Sequence, residues 1–302
     1  MLRKSLVLVV MGALTVFGAK AETTPTALTV AEIVQKTVAA QGGLQAWRNV
    51  RALMFTGKIA AGGDQRGTHP VPLPVKLAGK LPASTHLQRE VELPFVLKMQ
   101  RPRKVRLELQ FKGQTSLQVY DGTNGWMFRP YLNRADVESF SPDELKTASM
   151  QPDIDGPLVD YMAKETNIEL DGMEKVGDRD TYNLKLSMKN GETIHVWIDA
   201  QTFLEVKSGG QPRRLDGKIH AVEIYYSDYR RVNGLLIPFV LETRVLPLVD
   251  PTERRAEVPV PAEKITIEEV SVNPALDPSQ FSKPEIKSAS TPAQQEKQPA
   301  GQ

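Results

Sequence analysis

From residue 51 onward, apolar and polar positions alternate. Leu53, Phe55, Gly57 and Ile59 stand opposite Ala52, Met54, Thr56 and Lys58. Val105, Leu107 and Leu109 stand opposite Arg106, Glu108 and Gln110. A period of two puts one set on each face of a strand. The same reading places strands at 86–91, 95–101, 115–120, 203–207, 219–229 and 264–272. It also pairs Tyr182, Leu184, Leu186 and Met188 with Ile194, Val196 and Ile198 across Asn190-Gly191, and joins 219–229 to 235–245 across Asn233-Gly234.

The helical period appears in three places. Thr29 and Glu32 form a capping box before Ile33, Val34 and Val38, and Gly42-Gly43 ends that helix. Ser141, Pro142 and Glu144 open a second helix over 142–150. Asp155-Gly156-Pro157 opens a third over 157–165, with Leu158, Tyr161 and Met162 on one face. The stretch 62–82 carries Pro70, Pro72, Pro74 and Pro82 and reads as a long irregular loop. Residues 208–218, with Gly209-Gly210 and Arg213-Arg214, read as a polar loop. The sum is a mainly β chain with few helices. About ten or eleven antiparallel strands of this kind curl into a barrel or an incomplete β-barrel.

Tyr120-Asp-Gly-Thr-Asn-Gly-Trp126 raises a different question, because glycine-rich loops cradle phosphates. A Walker-type loop needs Lys-Ser/Thr leading into a helix, and neither follows here. With a strand on each side, the stretch reads as a hairpin turn.

The first residues do not fit the strand pattern. Arg3 and Lys4 precede an apolar run to Phe17, and Ala19-Lys20-Ala21 offers small residues at cleavage positions. This predicts a secretory signal peptide over 1–21, a domain over 22–282 and a Ser/Pro/Gln-rich disordered tail over 283–302. Removing Arg3, Lys4 and Lys20 turns the formal charge of +2 into −1. A near-neutral mature chain gives no electrostatic reason to expect nucleic acid. With no cysteine in the chain, disulfides, thiol nucleophiles and lipidation at an N-terminal cysteine are excluded. An exported, unlipidated, disulfide-free protein is expected in a bacterial periplasm.

Candidate chemistry is sparse. The four histidines, His69, His86, His195 and His220, have no metal-binding spacing between them. No G-x-S-x-G elbow is present, and Asp153-Ile-Asp155-Gly lacks the later glutamate of a calcium loop. No metal, no cofactor and no enzymatic activity are expected. Instead, some strands are apolar on both faces: Tyr225 and Tyr226 are adjacent, and 235–241 is continuously apolar. Both faces must then be covered, either by helices over an ordinary core or around a cavity for a lipid-sized ligand.

Several of these residues occur together in one known group. The order runs Gln41-Gly42-Gly43 with Trp47, then Thr56-Gly57, then Tyr120-Asp121-Gly122 with Gly125-Trp126. Ile198-Asp199 follows, and last comes Tyr226-Ser-Asp-Tyr229-Arg-Arg-Val-Asn-Gly234-Leu-Leu-Ile-Pro238. This order resembles the outer membrane lipoprotein-sorting protein family with its LolA/LolB-like fold, over about residues 28–275. The resemblance implies a curved antiparallel sheet closed by helices that act as a lid. It also implies a lipid, acyl chain or lipoprotein cargo held in the hollow between sheet and lid. The residues expected to line that hollow are Phe55, Trp126, Phe128, Leu184, Leu186, Val196, Tyr225 and Phe239, with Leu158, Tyr161 and Met162 on the lid. The alternative is a periplasmic interaction module on the same fold, one that senses the state of the envelope or docks an envelope membrane protein.

Overall fold

The computed structural model describes residues 28–61, 91–132, 134, 136–151, 153–215, 218–248 and 262–286. The expected signal peptide, the loop 62–82, His69, His86 with the strand expected there, and the tail from residue 287 lie outside the described residues.

Two helices come first, α1 (Val30–Ala40) and α2 (Leu44–Arg48). The Thr29–Glu32 capping box is formed in full, and it leaves Ile33, Val34 and Val38 buried on one face of α1. Strands β1 (Ala52–Ala61), β2 (Val91–Gln100), β3 (Lys104–Phe111), β4 (Gln114–Tyr120), β5 (Gly125–Phe128) and the two-residue β6 (Glu138–Ser139) make a first meander. Helix α3 (Pro142–Met150) follows, opened by the Ser141–Glu144 capping box. A second meander runs through β7 (Asn167–Val176), β8 (Arg179–Ser187), β9 (Thr193–Asp199), β10 (Glu205–Leu215), β11 (Lys218–Val232), β12 (Leu235–Val245) and β13 (Glu263–Val272). Pairing of β1 with β13 joins the two meanders into one antiparallel sheet, ordered β6-β5-β4-β3-β2-β1-β13-β12-β11-β10-β9-β8-β7. The sheet is curved and does not close, so β6 and β7 remain its edges. Bulges at Thr56/Gly57, Leu170/Gly172, Glu205/Lys207 and Gly210/Arg213 bend the strands that carry them.

Residues paired across antiparallel strands share a face. The register therefore traces one apolar inner face across the whole sheet. It runs from Leu184–Val196 on β8 and β9, through Phe239 and Ile267 on β12 and β13, to Phe55–Leu97 and Leu97–Leu107 on β1, β2 and β3. Ile33, Val34 and Val38 of α1, Trp47 of α2, and Ile154, Leu158 and Val159 pack onto it and make the core. At the other end, Leu145 and Ala148 of α3 cover Tyr120 and Met127.

The 120–126 stretch is the expected hairpin. The Asp121 carboxylate accepts the Thr123 and Asn124 amides at 2.8 and 2.6 Å, and the Asp121 amide donates to the Asn124 carbonyl. Gly125 is fixed by packing, since a Cβ there would stand 2.0 Å from the Phe140 ring.

Two expectations are corrected. Residues 157–165 form a chain of turns, not a helix, with Asp160 and Glu165 at φ 52° and 54°. A left-handed aspartate interrupts any helical ladder. Residues 208–215 are strand, the second half of β10. Gly210 marks a close approach there: a Cβ would lie 2.8 Å from the Val222 side chain. One strand goes beyond the sequence reading: β7, where Ile168 and Leu170 alternate with Asn167, Glu169 and Asp171, is an edge strand whose Glu169, Asp171, Glu174 and Lys175 discourage pairing with another chain.

Candidate functional site

The expected cavity residues divide into three groups. Leu184, Leu186, Val196 and Phe239 lie on the inner face and are packed solid, at 0%, 0%, 1% and 4% exposure. Phe55 shares that face, with Leu97 and Val270 as its register partners, and is only half-buried. These residues form the floor beneath α1 and its neighbours.

Trp126, Phe128 and Tyr225 lie on the opposite face. Trp126 pairs with Val119 and Phe128 with Leu117, and these share the Arg106–Glu108 side of β3. Tyr225 belongs to an outer array of stacked cations and rings. Lys207 Nζ stands 3.8 Å from the Trp197 ring centroid, and the Arg244 guanidinium 4.2 Å from that of Tyr225. The Tyr225 hydroxyl donates to Glu223, and burial pushes its pKa up to about 12. The sequence error is one of phase. Where both faces are apolar, alternation does not say which face points inward.

Leu158, Tyr161 and Met162 do come together, opposite α1. They line a groove of about 620 Å³ whose far wall is Ala31, Val34, Gln35, Val38 and Ala39 of α1, with Gly43, Leu44 and Arg48 beyond. Leu158 is buried at its base, while Leu44 and Met162, at 39% and 75% exposure, stand at its mouth. A methionine left so exposed beside an apolar wall is an unusual use of that side chain in water.

Ion pairs brace the 153–165 segment, within itself, to the β2–β3 turn and to α2. Arg101, from the β2–β3 turn, reaches Asp153 at 2.9 Å and Asp155 at 2.7 Å. Lys164 meets the nearly buried Asp155 at 2.6 Å. At the rim of the groove, Arg48 donates to both oxygens of Asp160, at 2.9 and 2.6 Å. The hydrogen bonds from Arg48 hold the Asp160 carboxyl below its ordinary range. The first two ties are partly buried and the third is exposed, so the groove has one firm end and one loose edge.

A smaller cavity of about 250 Å³ lies under the same segment. It is lined by Gln41, Trp47, Asp155, Leu158, Glu205, Tyr226, Tyr229 and Ile237, among others. Burial pushes the Glu205 carboxyl up to about 7. Among the described residues, no three His, Asp or Glu side chains cluster at metal-ligand distance.

No family model matches the chain, and no curated protein does. Solved structures do match it in outline. A LolA superfamily protein from Nitrosomonas europaea aligns with 85% of this chain and 99% of its own, at 11% identity and a TM-score of 0.48. A DUF1329 family protein from Desulfovibrio piger aligns over 83% and 96%, at 12% identity and 0.49. A protein domain from Vibrio parahaemolyticus, named for outer membrane lipoprotein sorting, aligns over 83% and 95%, at 12% identity and 0.48. These structures include the group that the sequence resembles.

Proposed function

We propose that this chain is a non-enzymatic periplasmic carrier whose cargo is a lipid, an acyl chain or a lipid-modified protein. The observation that carries the reading is the groove between α1 and residues 158–163, mostly apolar along both walls and open at Leu44 and Met162. Its volume suits a ligand of drug or acyl-chain size. Burying an acyl chain returns about 0.8 kcal/mol per CH₂, so a groove of this kind holds its cargo without a covalent step. One wall is a regular helix fixed on the core. The other is a run of turns tied at its outer edge by the exposed Arg48–Asp160 pair, which suits it to admit and release a chain. The lipoprotein sorting in the name of one structural neighbour is the same class of task.

The test is to purify the chain from a bacterial periplasm, extract it with organic solvent and examine the extract by mass spectrometry. Stoichiometric phospholipid or acyl species are expected. Met162→Asp, which changes an exposed side chain, should leave the fold intact and lower lipid uptake. A protein that carries no lipid and takes up none on titration sinks the reading and turns the search to protein partners.

A further inference from the structure

The 250 Å³ cavity under residues 154–158 has a chemical character unlike the groove beside it. Three aromatic residues, Trp47, Tyr226 and Tyr229, contribute to its lining together with the acid Glu205. The carboxyl of Glu205 has no cationic partner within ion-pair distance among the described residues, although the acids around it do. Asp155, across the cavity, is neutralised by Arg101 and Lys164. Asp199, at the start of the turn before β10, faces Arg179 at 3.4 Å.

The surrounding hydrogen bonds orient the phenols. Tyr229 donates to the Glu205 carbonyl at 2.7 Å, and the Tyr226 hydroxyl and Ser208 Oγ lie 2.8 Å apart. Trp47 Nε1 donates to the Gln41 carbonyl at 3.2 Å, which fixes the indole at the end of α1. A lone carboxylate among aromatic surfaces in a confined, poorly solvated space is the arrangement that holds organic ammonium groups. The rings supply cation–π attraction and the acid supplies the counter-charge.

We propose that the cavity formed by Trp47, Glu205, Tyr226 and Tyr229 is a binding site for an organic ammonium group. That group is either the amine headgroup of a lipid or a small free amine. Leu158 lines both this cavity and the apolar groove. An amine-headed lipid could therefore place its headgroup here and its chain there, an extension that rests on the carrier reading, whereas the ammonium site itself does not.

Burial holds the Glu205 proton to about pH 7, so binding of a cation should strengthen as the pH rises through that value. The other charged and titratable groups facing the cavity leave this window to Glu205. Tyr226 and Tyr229, from β11, are pushed above the ordinary phenol range by burial. Asp155 of the covering segment is paired with Arg101 and Lys164, Arg179 beyond Tyr229 is paired with Asp199, and Gln41, Trp47 and the β12 residues Leu236, Ile237 and Pro238 carry no charge.

The experiment titrates the full chain with choline and follows saturation transfer from protein protons to the choline methyl groups. Saturable binding is expected above pH 7, weaker below it, and about tenfold weaker in Glu205→Gln, which keeps the shape and removes the charge. A short-chain phosphatidylcholine that binds more tightly than choline, and loses that advantage in Glu205→Gln, identifies a lipid headgroup; equal affinity identifies a free amine. Absence of saturable choline binding at any pH, or binding that is equal in Glu205→Gln, overturns the site. Uptake of phosphatidylglycerol in that case would leave the carrier reading standing alone.

Discussion

The floor of the inner face and the segment that covers it are made on opposite plans. The floor is regular strand with Leu184, Leu186 and Ile198 at 0% exposure, each in register with an apolar partner. The cover at 153–165 has no regular hydrogen-bond ladder, two left-handed non-glycine residues and a methionine at 75% exposure; Ile154, Leu158 and Val159 anchor its base in the core, and ion pairs tie its outer edge. Hydrophobic burial is non-directional and hard to reverse locally, whereas an exposed ion pair opens at little cost. The contrast separates a floor held by burial throughout from a cover that is buried at its base and tied by charge at its outer edge.

The largest effect should come from breaking the floor. Leu184→Ala leaves a cavity between β8 and α1 and should cost about 3 kcal/mol of stability, within the usual range for a buried leucine. Met162→Ala, on the cover, should cost almost nothing in the same denaturant titration. If the two variants lose equal stability, the division between floor and cover is wrong.

The floor was legible in sequence and the cover was not, for physical reasons. Alternation at Tyr182–Met188 and Ile194–Ile198 is enforced by a half-buried surface, so a period of two survives in the residues themselves. The capping boxes at Thr29 and Ser141 are local chemistry and were equally plain. At 157–165 the helical spacing of Leu158, Tyr161 and Met162 was overridden by partners far away in the chain. Arg48 claims Asp160 across 112 positions, and Val159, off the expected face, is fully buried. The hidden faces of Trp126, Phe128 and Tyr225 have another cause. Those strands carry apolar or aromatic residues on both faces, with Gly125 and Met127 opposite Trp126 and Phe128 and with Tyr226 beside Tyr225, so apolarity alone does not orient them. Glu205 gives no signal in the sequence because a single acid among Phe203, Leu204 and Val206 reads as an ordinary strand charge until the fold brings Tyr226, Tyr229 and Trp47 around it.

An effect of middle size sits where floor and cover meet. In the unfolded chain Glu205 loses its proton near the ordinary value of 4.5, and in the folded protein it keeps it to about 7. Between those values the folded state binds more protons, so stability falls as the pH rises through the window and levels off above about 7. The full span corresponds to about 3 kcal/mol at most. Glu205→Gln should flatten this part of the stability profile and raise the alkaline plateau. A profile that is the same in both proteins would mean that the carboxyl is well solvated and that the junction is looser than described.

The smallest effect on stability, and the sharpest test of the contrast, belongs to Arg48 and Asp160. The pair is short and bidentate, but Arg48 is half exposed. Solvent screening leaves such a pair little net worth in folding. Its position gives it leverage of another kind, since it spans the groove from α2 to the turn that carries Tyr161 and Met162. Asp160→Asn keeps the shape and weakens the tie, and asparagine tolerates the left-handed conformation that this position requires. The melting midpoint should hardly move, while a bound fluorescent fatty acid should leave severalfold faster, and faster in high salt in the native protein as well. Salt should have little further effect in the variant, because the charge pair it screens is already broken. A variant that melts much earlier without changing the release rate would place Arg48–Asp160 with the floor, as part of what folds the protein and not of what opens it.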